Sequence, residues 1–211
     1  MTSSSSPRDQ GIGGDQGIPA ASAAAEADPR DATMRALRWD GPHTLVAADV
    51  PRPRPLDGWA LVDVAYTGLC GSDLHVWAGE HPRARPGLVI GHEMSGTLAE
   101  GSGELRVGTP VVVNPLLPCG TCVTCLAGRP HTCANLRILG IDAPGGAAEQ
   151  VLVPAGSLVP LPDGTDLALA AFAEPLAVAV MRAPPPARSP GSADARRTAH
   201  GRPRAPPASS T

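Results

Sequence analysis

Cys119-Gly-Thr-Cys122-Val-Thr-Cys125-Leu-Ala-Gly-Arg-Pro-His-Thr-Cys133 is the stretch that decides how this chain folds. Its four cysteines stand at Cys-x-x-Cys-x-x-Cys-x7-Cys spacing in a loop with Gly128 and Pro130 and no helical or strand period. A loop of that kind has no core of its own, so a metal has to organise it, and ion binding and folding become one event. Thiolates at this density suit the soft, tetrahedral ligation that zinc prefers. An iron–sulfur cluster is one rival. Its bacterial run ends with a cysteine shortly after the third ligand and then a proline; here the step from Cys125 to Cys133 is eight residues and Ala134 follows. A nucleic-acid zinc module fits less well, since Arg129 is the basic residue of the loop apart from His131. Four unmetallated cysteines are the plain alternative, and His131 reads as a bystander.

Outward from the loop, Cys70 and the pair His92-Glu93 form a second constellation, and with Cys70 every cysteine is used. Structural zinc sites are closed, whereas catalytic ones keep a vacancy for water or substrate. Taken alone, Cys70 or His92 reads as an ordinary structural residue; the context is what marks them. Cys70 leads into Gly71-Ser72-Asp73-Leu74-His75, and His92 follows a glycine at the end of an apolar run. Glu174 sits in Ala173-Glu174-Pro175-Leu176-Ala177, where an unpaired carboxylate would be costly unless a metal took it up. The alternative for Glu174 is a solvated acid opening a helix, with proline in the first turn.

Composition divides the chain. Residues 1–33 are rich in Ser, Gly, Ala, Asp and Pro, and 183–211 hold no Val, Leu, Ile, Met or aromatic residue. Neither segment can bury enough apolar surface to offset chain entropy, so both read as disordered. The folded part is therefore 34–182, long enough for one core. With 3 Trp, 1 Tyr and 1 Phe in the whole chain, that core rests on Val, Leu and Ala. The net charge of -3 gives no nucleic-acid footprint. The arginines of the tail (Arg188, Arg196, Arg197, Arg202, Arg204) read as an incidental basic end. No run is long and apolar enough to span a bilayer, and no secretory signal opens the chain. Cysteines at metal-ligand spacing then point to a reducing cytoplasm.

The pattern predicts short strands at Met34–Trp39, Thr44–Val50, Trp59–Tyr66, Leu88–Ile90, Pro110–Val113 and Ala147–Val153. A turn at Gly41-Pro42 and a stiff connector at Pro51, Pro53 and Pro55 separate the first of them. Ser72 or Asp73 is expected to cap a short helix after Gly71, and Leu167–Met181 reads as a helix interrupted at Pro175. The class is mainly β with short helices, a small barrel or sandwich carrying a zinc lobe. No parallel βαβ alternation and no dinucleotide fingerprint are present. Gly11-Ile-Gly13 and Gly101-Ser-Gly103 lack the third glycine and the strand–helix setting.

These residues resemble the zinc-dependent medium-chain alcohol dehydrogenases, from Met34 to about Arg182. The likeness rests on Thr67-Gly-Leu-Cys-Gly-Ser-Asp-Leu-His75, on Val89-Ile-Gly-His-Glu93 with Gly96, on the cysteine quartet and on Ala173-Glu-Pro-Leu-Ala-Val178. Within the family it is most similar to the polyol, sugar-acid, threonine and butanediol dehydrogenase branch. The resemblance implies a GroES-like β-barrel and two zinc ions. Cys70 and His92 would bind the catalytic ion, with Glu93 a direct or alternate ligand and Glu174 a ligand directly or through water. Asp73 would orient His92, and Ser72 and His75 would pass the alcohol proton to solvent. Cys119, Cys122, Cys125 and Cys133 would hold the structural ion. It also implies oxidation of a secondary alcohol, with hydride passed to NAD or NADP. Trp77 and the His81-Pro82 loop would line the alcohol pocket. The non-catalytic alternative is a zinc-binding fragment or interaction module.

The chain departs from that pattern in three places. After Met181-Arg182 the family continues into a Rossmann domain, which here is replaced by Ala-Pro-Pro-Pro and the arginine-rich tail. The expectation is a frameshift in a GC-rich gene, and with it the loss of the cofactor domain and of the surface through which the family forms homo-oligomers. The spacing between Gly96 and Gly108 is short, and Thr109-Pro110 replaces an acid–base pair. The segment before Met34 has no family counterpart and reads as a misassigned start. Without its partner domain, the apolar residues of 167–181 are expected to be exposed, an aggregation liability.

Overall fold

A computed structural model of the chain describes residues 33–100 and 103–182. The expected disorder of 1–33 and 183–211 falls outside these residues, apart from Thr33, which begins the first strand. That strand, β1 (Thr33–Gly41), and β2 (Thr44–Pro51) form an antiparallel hairpin around Pro42-His43. Met34 and Ala36 of β1 turn to one side, into a cluster with Val50 and Val89, and Trp39 turns to the other, into a cluster with Val76, Ala84 and Ile90, so both faces of the hairpin are partly buried. β3 (Trp59–Gly68), α1 (Gly71–Ala78), β4 (Leu88–Val89) and β5 (Glu93–Leu98) follow. Next come β6 (Pro110–Val113), β7 (Leu116–Leu117), α2 (Val123–Leu126) and β8 (Arg137–Ile138). The described part ends with β9 (Gln150–Pro154), β10 (Leu158–Pro160), α3 (Leu167–Ala170) and α4 (Ala173–Arg182).

Five strands pair in the order β10-β6-β5-β3-β9, three in the order β2-β1-β4, and β7 with β8 makes a small ribbon. Residues 147–149 tie the two larger sheets together. The Leu37 N–H donates to the Ala147 carbonyl (2.7 Å), and the Val64 N–H donates to the Glu149 carbonyl (2.9 Å). One sheet thereby curls into the other as a partial barrel, closed around Ala60, Val62, Met94, Leu98, Val111, Val151 and Val153. The core is built from Val, Leu and Ala, as the composition requires. The observed class, mainly β with short helices, is the expected one.

Several details differ from the sequence reading. β5 is a buried central strand that the pattern did not reveal: Glu-Met-Ser-Gly-Thr-Leu has no alternation because both faces are covered. Gly96 is required there, since a methyl group would drive into the Asp63 carbonyl of β3. β3 runs two residues past Tyr66, with a bulge between Val64 and Tyr66 that brings Gly68 opposite Glu93. The last helical segment breaks at Ala171-Phe172, not at Pro175. Asp166 caps α3 by accepting from the Ala168 N–H (2.8 Å) and the Leu169 N–H (3.3 Å). Pro175 lies in the first turn of α4, where its missing N–H has no intrahelical acceptor to lose. Phe172 and Leu176 are each 60% exposed, as expected for this segment. Among the described residues no helix is long and apolar enough to cross a membrane.

Candidate metal centres

The cysteine lobe is held by its own sulfurs. Cys122 caps the short helix α2, which sequence periodicity did not show, and Cys133 closes the single turn of 3-10 helix Pro130–Thr132. All four sulfurs lie within 4.8 Å of one another. Cys119–Cys133 and Cys122–Cys133 separations are 3.5 and 3.8 Å. A tetrahedron with metal–sulfur bonds near 2.3 Å has edges of about 3.8 Å, whereas a disulfide would bring sulfurs to about 2 Å. The cysteines are free and spaced for one ion. Backbone N–H groups already point at them, including Cys122 to Cys119 (3.4 Å) and Asn135 to Cys133 (3.3 Å). The Thr121 N–H and hydroxyl bring the Cys119 thiol down to about 7, and the Thr124 hydroxyl brings Cys122 to about 5. Burial, aided by Cys122, pushes Cys125 up to about 12. Without a cation, then, Cys122 and Cys125 do not ionise together. His131 is exposed and outside the set.

The second cluster joins two elements. Cys70 is the N-cap of α1, while His92 and Glu93 stand where the chain enters β5. The sulfur, an imidazole nitrogen and a carboxylate oxygen converge within 4.8 Å of one another, with His92 and Glu93 buried. The cap differs from the expected Ser72 or Asp73. Asp73 instead reaches back from the third helical position to accept the Cys70 N–H (2.9 Å), as in a capping box. Its other oxygen accepts the Gly91 N–H (3.4 Å) and lies 3.8 Å from His92 Nδ1. That distance exceeds a hydrogen bond, and Nδ1 is a buried nitrogen with no partner among the described residues. Ser72 Oγ meets the other ring nitrogen, Nε2, at 3.3 Å. A thiol, an imidazole and a buried carboxylate gathered around one point suit a zinc-sized cation, because an unpaired buried carboxylate is otherwise costly.

Glu174 opens α4 and is half-buried, but its carboxylate is not among the converging atoms. Burial raises its proton affinity; the charge of His92 opposes this and that of Glu93 adds to it. Glu174 thus lies near enough to His92 and Glu93 to feel their charges. His75 is on the surface, its Nδ1 3.0 Å from Glu80 Oε2, and among the described residues Ser72 bonds to His92 rather than to it. Trp77 meets His43 edge-on at 4.6 Å, and His81 accepts the Arg83 N–H at Nδ1 (3.4 Å).

Two positioning residues escaped the sequence reading. Ser95 is wholly buried and donates to the Leu167 carbonyl (2.5 Å), fastening the last helices to β5. No local pattern in Glu-Met-Ser-Gly announces it. Asp142 accepts the Ile138 N–H (2.8 Å) and pairs with Arg83 (3.1 Å). The signal was there: an acid between Ile141 and Ala143 poses the same cost that singled out Glu174.

The alcohol dehydrogenase GroES-like domain family matches residues 56–163. The chain is similar to 2-dehydro-3-deoxy-L-galactonate 5-dehydrogenase of Pseudoalteromonas atlantica, 45% identical over 129 residues, which are 59% of this chain and 38% of that protein. It is 39% identical over 132 residues to L-threonine 3-dehydrogenase of Xanthomonas campestris pv. campestris, 60% of this chain and 39% of that one. Among solved structures, a short chain alcohol dehydrogenase, RspB of Escherichia coli CFT073, complexed with NADH, aligns at a TM-score of 0.65 and 34% identity, over 71% of this chain and 44% of that one. The chain spans less than half the length of these relatives. With the curled sheet, the sulfur lobe and a match over half its length, the chain belongs to the alcohol dehydrogenase GroES-like domain family.

Proposed function

We propose that this chain is the zinc-binding catalytic domain of a dehydrogenase that oxidises a secondary alcohol of a polyol or sugar acid to a ketone, with hydride passing to NAD or NADP. The observation that carries the reading is the convergence of Cys70, His92 and Glu93 beside Ser72, at the junction of α1 and β5. Cys70, His92 and Glu93 hold one zinc, with Glu174 a ligand directly or through water. The four lobe cysteines hold a second. When bound in the first set, zinc supplies Lewis acidity that lowers the pKa of a substrate hydroxyl toward neutrality.

The protein's own residues do the rest. Asp73, anchored by two backbone N–H groups, fixes Cys70 and faces His92 Nδ1. It sets the imidazole's orientation, the usual role of an acid behind a metal-bound histidine. Ser72 Oγ takes the alcohol proton within hydrogen-bond reach, and His75, one helical turn on, passes it to solvent. None of the described residues forms a glycine-rich strand–turn–helix cradle for a dinucleotide. Nicotinamide binding therefore falls to sequence outside them.

The test is turnover of secondary alcohols by purified chain with NAD or NADP. Alcohol-dependent nicotinamide reduction that Ser72→Ala lowers supports the reading. A second reading, a zinc-binding module without turnover, draws on the exposed apolar residues of α4 (Leu176, Val178, Val180). Full zinc content without nicotinamide reduction by any alcohol selects it.

A further inference from the structure

β5 divides its side chains between two faces. Met94 and Leu98 point into the barrel core, and Glu93 and Ser95, offset by one position, stand on the opposite face. That face therefore carries a carboxylate of the metal cluster and, two residues along, a wholly buried hydroxyl. Helices α3 and α4 pack against the same strand.

Little apolar burial holds those helices in place. Of residues 167–181, Ala171 alone is buried, while Leu169, Phe172, Leu176, Val180 and Met181 are all exposed. Among the described residues, the bond that Ser95 Oγ donates to the Leu167 carbonyl (2.5 Å) is the hydrogen bond joining α3 or α4 to the barrel. Both of its ends lie out of water, so removing the hydroxyl leaves the carbonyl short of a partner and frees the start of α3.

From Leu167 the backbone runs to Glu174 as one bonded path. The Ala170 N–H donates to the Asp166 carbonyl (2.9 Å), the Ala171 N–H to Leu167 (3.2 Å), the Phe172 N–H to Leu169 (3.1 Å) and the Leu176 N–H to Phe172 (3.0 Å). The break at Ala171-Phe172 is thus a hydrogen-bonded bend, and pinning Leu167 places Glu174 seven residues on. The Glu174 carboxylate stands outside the converging set, yet close enough for the charges of His92 and Glu93 to act on it.

We propose that Ser95 is a positioning residue for the metal centre: its bond to Leu167 sets where Glu174 stands relative to Cys70, His92 and Glu93, and so governs the part that carboxylate takes in holding the ion. The inference rests on the zinc reading of that cluster and deepens it. Cys70 and His92 are placed by α1 and by the entry to β5, independently of α3 and α4. Loss of the Ser95 bond therefore removes the contribution of Glu174 and leaves the thiol and imidazole where they are.

The experiment is a cycle of S95A, E174Q and the double variant in the full chain. The lobe keeps its zinc, and the Cys70 set is refilled with cobalt(II) against a competing chelator. Cobalt affinity, the visible d–d bands and the melting temperature are read together. S95A and E174Q should each lower cobalt affinity by about tenfold or more, as loss of an outer partner of a metal ligand does. In the E174Q background S95A should change affinity by less than about twofold, because the carboxylate that the tether places is gone. The bands of S95A should match those of E174Q rather than the parent, since they report the ligand geometry. A purely structural tether would lower the melting temperature and leave the bands alone. D166A, at the exposed cap of α3, repeats the test should S95A not fold. It should lower cobalt affinity in the parent chain and leave it unchanged in E174Q.

Losses for S95A and E174Q that multiply in the double variant, or an S95A chain with the affinity and bands of the parent, overturn the proposal. E174Q at parent affinity overturns it as well, with the centre at Cys70 and His92 intact. A parent chain that takes up no cobalt at the Cys70 set overturns the zinc reading on which the proposal rests.

Discussion

Replacing Gly145 with alanine tests how the fold delivers His92 to its site. The residue sits where the 140–147 segment crosses the chain just before His92, and the crossing is backbone on backbone. A methyl group at Gly145 would lie 2.6 Å from both the Ile90 oxygen and the Gly140 Cα, and closer still to the Gly91 oxygen. Ordinary contact begins at 3.4 Å, so the two segments must part by 0.8 Å or more. Three hydrogen bonds span this junction: Gly145 N–H to Val89 (2.8 Å), Gly146 N–H to Gly91 (2.8 Å) and Ala147 N–H to Ile90 (2.9 Å). Loss of all three at about 1 kcal/mol each gives about 3 kcal/mol, a large share of the roughly 5–15 kcal/mol that holds a domain together. Urea unfolding of zinc-loaded Gly145→Ala against the parent measures it. Gly156→Ala is the control: nothing lies within 4 Å of that position and its φ is ordinary, so it should be neutral or stabilising by up to about 1 kcal/mol. The Gly145 variant should also lose metal from the Cys70 cluster before the cysteine lobe. A Gly145→Ala protein within about 0.5 kcal/mol of the parent would refute the reasoning.

Other outcomes follow from single contacts. His43 holds a left-handed φ of 60° at the hairpin tip while its ring meets Trp77; His43→Gly loses the ring but relieves the backbone, so it should unfold less easily than His43→Ala by about 1 kcal/mol, and equal stabilities would contradict this. Asp73→Asn keeps the shape but weakens the acceptor for Cys70 and Gly91; zinc affinity at the Cys70 cluster should fall about 10- to 100-fold, and unchanged affinity in a metal competition assay would count against the positioning role. Burial and Arg83 hold the His81 imidazole below its ordinary 6.5, with Asp142 opposing and His75 assisting. The folded chain therefore binds that proton less readily than the unfolded chain, so the stability from neutral His81 is present above 6.5 and is lost as pH falls from there through the folded value. An NMR titration placing His81 above 6.5 would reverse the sign.

The cysteine quartet was legible in the sequence because its spacing is local. The four sulfurs gather in one lobe, and the donor atoms of Cys70, His92 and Glu93 gather at a second point. The sequence carried the first hairpin for the same reason: apolar alternation and Gly41-Pro42 act over a few residues. What it hid depended on distant partners. β5 is covered on both faces and so shows no alternation, and Gly96 makes sense only beside Asp63. Helix α2 owes its four residues to the sulfurs around it rather than to helical periodicity. The break at Ala171-Phe172 follows from the Asp166 cap and the Ser95 tether, and the second of these joins residues 72 positions apart in sequence.

The most direct measurement of the central claim is the metal content of the purified chain and of His92→Ala. The account predicts two zinc equivalents in the parent and one in the variant, the remaining ion resisting chelation in its four-sulfur cage. One equivalent in both proteins, or two in both, would contradict it.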